Sequence, residues 1–131
     1  MKGQKMEKYV RPVVLANEEL AEGVYAASGT GVVSAASVTL ETEGNQYYKV
    51  NTYKVAIVNS GSEPSSDWTV VLSVTSGTAT EAKTYDTWTA NASLSGSTIT
   101  IEPGSGGTIP AGDKIELIIA VSYSSDSVTV Q

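Results

Sequence analysis

The chain of 131 residues has no cysteine, no histidine and no phenylalanine. Without cysteine there is neither a disulfide framework nor a thiolate metal site. Without histidine the commonest general base and the commonest nitrogen ligand for metals are missing. The lack of phenylalanine leaves any aromatic core to two tryptophans and seven tyrosines. No apolar run approaches the roughly eighteen residues that a membrane-spanning helix needs. The most apolar piece near the start, "YVRPVVLA", is interrupted by Arg11 and Pro12. That interruption also rules out a standard signal-peptide core, although "VYAASG" has the small residues of a cleavage site.

What charge there is leans acidic, with a formal net of −6. Lys2, Lys5, Lys8 and Arg11 against Glu7 give +3 over residues 1–11, whereas four lysines against thirteen carboxylates give −9 over residues 12–131. An acidic body repels phosphate backbones, so nucleic acid is not an expected partner. The length suits one domain able to bury a core without staples.

Two regions differ in pattern. Residues 1–29 hold "NEELAEGVYAASG", in which Asn17 can cap a short helix whose first turn carries Glu18 and Glu19. This segment reads as a flexible arm, an edge helix or a removable leader with its cut near Gly23 or Gly29. Its "EL..G" pattern resembles leaders handled by peptidase-bearing export transporters of Gram-positive bacteria. From Val32 onward the period is two. "VSAASVTL", "YYKVNTYKVAIV", "WTVVLSV", "STITIE", "KIELIIAV" and "DSVTV" alternate apolar and polar residues, as half-buried strands do. Turn residues fill the gaps in "NSGSEPSSD" and "EPGSGGTIPAGD". Many short strands with no sustained helical period predict an all-β fold over residues 30–131, an antiparallel β-sandwich of two packed sheets.

The alternation settles the place of one indole. Trp68 shares its strand face with Val70, Leu72 and Val74. A register that exposed Trp68 would expose all four, at a cost on the order of 6–12 kcal/mol. Trp68 is therefore expected in the core. Trp88 is open at this level. It is either an exposed contact residue or an edge-of-core ring sharing the face of Ala90, Ala92 and Leu94. Tyr47 and Tyr48 are adjacent and, if in a strand, must point to opposite faces, so at least one is expected inward.

"VAIVNSGSEPSSDWTVVLSVTSG" and "TWTANASLSGSTITIEPGSGGTIPAGDKIELIIAV" resemble the bacterial cellulose-binding module of family 2. The shared features are a strand ending in Asn, a Gly/Ser/Pro loop, a Trp-Thr strand, a "W.A..SGS..T" segment and "G.IPAG" before the last long strand. The resemblance runs over roughly residues 45–121. It implies a β-sandwich, a buried Trp68 and binding of cellulose, chitin or xylan through aromatic rings aligned on one face. Flat pyranose C–H faces bury against such rings while Asn and Gln bond the hydroxyls. The implied platform falls on Tyr47 and Trp88, with Asn45 and Gln46 as polar helpers. The third ring position is occupied by Ser105, for which Tyr85 or Tyr48 is a candidate substitute, and "TEAKTYD" reads as a long loop before Trp88.

No other chemistry is marked. Asp67, Asp86, Glu102, Asp113 and Glu116 form no recognisable acid/base pair, and no nucleophile elbow occurs. "EPGSGGT" lacks the lysine and following helix of a phosphate loop. The expectation is a non-catalytic carbohydrate-binding module, without cofactor or metal, outside the cell or on its surface. The alternative is an exported structural or surface protein that has lost the sugar platform and uses the same sandwich for a protein partner or self-association.

Overall fold

The computed structural model describes residues 32–131, so the arm or leader expected over residues 1–29 lies outside the described residues. Within them run eight strands: β1 (Val33–Thr42), β2 (Val50–Asn59), β3 (Val70–Ser76), β4 (Ala79–Thr84), β5 (Ala90–Ser95), β6 (Thr98–Pro103), β7 (Lys114–Tyr123) and β8 (Thr129–Val130). They form two four-stranded sheets in the orders β1-β2-β7-β4 and β5-β6-β3-β8, with every pairing antiparallel. This is the all-β sandwich that the alternation predicts. Among the described residues no helix is long and apolar enough to cross a membrane.

One face of each sheet closes on the other. Tyr53, Val55 and Ile57 from β2 join Leu117, Ile119 and Val121 from β7 in a single buried cluster with Trp68, Val70, Leu72, Ile99 and Ile101. The register sets Val55 opposite Leu117 in the first sheet, and Leu72 opposite Ile99 in the second. Side chains on facing positions thus remove apolar area from water in pairs, the main source of sandwich stability. Trp68 is 0% exposed. Its indole N–H donates to the Gly107 carbonyl at 2.8 Å, so the buried ring leaves no donor orphaned. β3 itself starts two residues later, at Val70, but Trp68 keeps the inward parity.

Two elements depart from the expectation. "TEAKTYD" is no loop, because Ala79–Thr84 pairs with β7 as an edge strand. Its inward positions are Ala79, Ala82 and Thr84, too small or too polar to show a hydropathy alternation. The last strand is shorter than "DSVTV" suggests, although Gln131 and Ser73 exchange backbone bonds of 2.7 and 2.9 Å beyond its end. The β5–β6 hairpin turns on Gly96 and Ser97, with Gly96 at φ 63°, as a two-residue hairpin requires.

The connection after β2 is held by one side chain. Asn59 is fully buried; its amide donates to the Glu63 and Ile109 carbonyls, both at 2.9 Å, and its oxygen accepts from Gly61 N–H. The Asn that ends the strand thus organises the Gly/Ser/Pro loop that follows it.

Candidate functional site

Tyr47 sits on the connection between β1 and β2, and that connection is a turn rather than a strand. Asn45 and Tyr48 exchange backbone bonds of 3.0 and 3.2 Å. The Asn45 side-chain oxygen also accepts from the N–H groups of Tyr47 and Tyr48, at 2.8 and 2.9 Å. This Asx-type turn satisfies its own backbone and abolishes the pleat. Tyr47 and Tyr48 are consequently both exposed, 89% and 66%, which overturns the expectation that one points inward. Gln46, just before them, is exposed too. Asn45 spends its oxygen on the loop, so the contact it can offer a sugar hydroxyl is through its amide N–H.

The turn is tied to the sandwich from below. Gly44 N–H donates to Asn51 Oδ1 at 2.8 Å, and Asn51, itself buried, donates to the Tyr53 hydroxyl at 3.0 Å. Burial pushes the Tyr53 phenol above its ordinary range, partly offset by the Asn51 hydrogen bond. Lys49 reaches the Ser125 carbonyl at 3.0 Å. The ring of Tyr47 therefore projects from an anchored support.

Trp88 stands on the corner that carries the chain from β4 to β5. Asp86 builds this corner. Its carbonyl accepts from Ala90 N–H at 3.1 Å. Its carboxylate accepts from the Thr89 hydroxyl at 2.6 Å and from Thr89 N–H at 3.2 Å. The Thr89 hydroxyl, and next its N–H, hold the Asp86 carboxyl below the usual range. This single helical turn breaks the strand phase between Trp88 and Ala90. Ala90 is buried, whereas Trp88 is 67% exposed, so Trp88 does not share the Ala/Leu face.

The indole of Trp88 rests on the loop after β6. A Cβ at Gly106 would collide with Trp88 Nε1, Cε2 and Cδ1. It would lie nearest the nitrogen and almost as near the two carbons bonded to it, which puts it over the ring face rather than in the ring plane. Gly106 N–H also donates to the Trp88 carbonyl at 2.8 Å. One face of the ring is thus supported by bare backbone while the ring remains largely open to water. The buried tryptophan contributes to this arrangement, since Trp68 bonds the carbonyl of the neighbouring Gly107.

The supports of Tyr47 and Trp88 enter the first sheet at β2 and leave it at β4, the two strands that flank β7. The Tyr47 turn leads into Val50, which pairs with Ser122. The Trp88 corner follows Thr84, which pairs with Ile119. Ser105, which the resemblance sets at a third ring position, is exposed and brings no ring. The signal that sequence reading left unplaced is Tyr85, 64% exposed and three residues before Trp88. Only the pairing of β4 fixes where it stands.

The carboxylates Asp67, Asp86, Glu102, Asp113 and Glu116 are all exposed and lie on separate loops and strands. Among the described residues no group of three or more Asp or Glu side chains is placed to hold a metal ion.

A family model described as a cellulose binding domain matches residues 36–131. No curated protein matches the chain. The matched span covers every strand except the first three residues of β1, and includes the loops that carry Asn45, Gln46, Tyr47, Tyr85 and Trp88.

Proposed function

This chain belongs to the cellulose binding domain family, and on that premise we propose that it is a non-catalytic carbohydrate-binding module. Tyr47 and Trp88 meet the polysaccharide, with Asn45 and Gln46 bonding its hydroxyls. The observation that carries this reading is the Trp88 indole, held over Gly106 with its surface open to solvent. Exposing that much apolar ring to water is unfavourable unless a partner covers it, and a pyranose C–H face is the partner a flat aromatic fits. The family places such modules in secreted proteins, so the proposed site of action is outside the cell or on its surface, in a Gram-positive bacterium as the leader pattern suggests.

Trp88→Ala tests it. Retention on an insoluble polysaccharide should fall about tenfold, from a ring contact of ~1–2 kcal/mol, while the melting temperature hardly moves. Equal retention of variant and parent chain overturns the reading.

Ser105 favours a second reading, since one position of the family platform has no ring. In that reading the sandwich serves an exported surface protein, and β1, an edge strand with Leu40 exposed, meets a protein partner or another copy. Its mark would be self-association without glycan binding.

A further inference from the structure

We propose that residues Val24, Tyr25, Ala26 and Ala27 add to the second sheet as a strand that continues the row of β8 along β3, closing a seam of the sandwich within the same chain. This goes beyond the carbohydrate-binding reading and does not depend on it.

Two edges make the seam. β1 is the outermost strand of the first sheet and β8 that of the second, and β1 also approaches β3. β8 covers only the later half of β3. Val130 lies opposite Val74 and Thr129 opposite Ser76, and Gln131 exchanges backbone bonds with Ser73. Ser73 N–H donates to Gln131, whereas Val74 N–H donates to Ser97 on the other flank. Odd-numbered positions of β3 therefore turn their backbone toward the β8 side. The next of these is Val71, which has no backbone partner on that flank among the described residues. An open flank is a template for another strand. Beside it lies a groove of about 260 Å³ lined by Ala35, Ala36, Ser37, Val38 and Gln131. A bulge in β1 between Ala35 and Ser37 sets the extra residue, Ala36, at this point. Ala35 and Val38 pack on the core yet are only half-buried, so the core itself is open here.

The direction of the chain favours its own preceding segment. β1 and β3 begin at the same end of the sandwich. Val33 lies opposite Asn59, whose amide donates to Ile109, and Trp68, just before β3, donates to Gly107. Val32 is fixed at that end, where its carbonyl accepts from Ser60 N–H at 3.0 Å. A segment that rises along the seam to reach Val32 thus runs antiparallel to β3, as β8 does. Ser28, Gly29, Thr30 and Gly31 are the residue types that the reversal into β1 needs. The five steps from Ala27 to Val32 reach up to ~17 Å, against ~10 Å between packed sheets. Val24 and Tyr25 are strand-favouring types, and Ala26 and Ala27 are small enough for a groove walled by alanines. The tether holds this segment at an effective concentration on the order of mM, an advantage that a strand from a second copy lacks. A leader cut near Gly23 would leave the strand seated, whereas a cut near Gly29 would release it and open the edge.

Amide hydrogen exchange of the full chain, read residue by residue by NMR, tests this. Val71 N–H should exchange slowly in the parent chain. Tyr25→Pro and Ala26→Pro each remove one N–H. Neighbouring N–H groups point to opposite flanks, so one of the two variants loses a rung to β3. In that variant Val71 should exchange about tenfold faster, while Leu72, on the β6 flank, keeps the parent rate. Because no cysteine is native, Val71→Cys combined with Tyr25→Cys or Ala26→Cys should also close a disulfide within a monomer. Circular dichroism of each variant checks that the sandwich persists. Fast exchange of Val71 in the parent chain overturns the inference, and so does slow exchange that neither proline alters. Protection that is lost on dilution, with disulfide-linked dimers in place of monomers, assigns the strand to a second copy and equally overturns it.

Discussion

A single hydrogen atom at position 106 governs the exposed tryptophan. Any Cβ there would occupy the space of the Trp88 indole. Gly106→Ala should therefore displace the ring and lower polysaccharide retention nearly as far as Trp88→Ala does, with the melting temperature almost unchanged because neither group belongs to the core cluster. Retention equal to that of the parent chain would show that the ring does not need this seat. The residue scale is also where sequence reading was most uneven. Trp68 was legible because its neighbours Val70 and Leu72 share its face, and burial of one implied burial of all. Trp88 was not, because its neighbours Ala90 and Ala92 are small and the turn that takes it out of their phase is made by Asp86, whose hydrogen bonds leave no trace in hydropathy. The expectation that one of Tyr47 and Tyr48 points inward fails for a related reason, while Tyr47 is exposed as a contact ring must be. The β period was extended into a segment where Asn45 had already ended it.

At the scale of elements, the β4–β5 corner is held by the Asp86 carbonyl, which accepts from Ala90 N–H, and by its carboxylate, which accepts from Thr89. The Thr89 contacts lower the Asp86 pKa, so the stability they confer is fully present above the ordinary carboxylate range. It is lost as pH falls through the lowered value. Glycan retention should accordingly drop in strong acid. Asp86→Asn, which keeps one acceptor oxygen for Thr89 and does not titrate, should flatten that dependence. An unchanged acid profile in the variant would assign the pH dependence elsewhere. Strands with large alternating side chains, β2, β3, β6 and β7, were readable in the sequence. The edge strand β4 has the sequence of a loop because Ala82 and Thr84 carry almost no hydrophobic contrast, and it is the pairing with β7 that makes it a strand.

Across the whole molecule, the two outer faces differ in chemistry. The second sheet turns outward mainly hydroxyls, Ser73, Ser93, Thr98 and Thr100 among them, while the first turns outward Lys54, Lys83, Glu81 and Glu116 around its alanines. The described residues carry four lysines against ten carboxylates, a net of −6. Binding to a neutral polysaccharide should hence be insensitive to salt. Any binding to a uronate-bearing polymer should be weaker at low ionic strength and strengthen as salt screens the repulsion. Retention on the neutral polymer that collapses with added salt would contradict a ring-based contact.

The two indoles, one sealed and one open, also make the molecule its own fluorescent reporter. Emission from the ring at position 88 should be red-shifted and accessible to iodide, and a bound ligand should shield it. The ring at position 68 should emit further to the blue and respond only when the sandwich comes apart. Occupancy and unfolding can then be followed as separate signals in one cuvette without any attached dye.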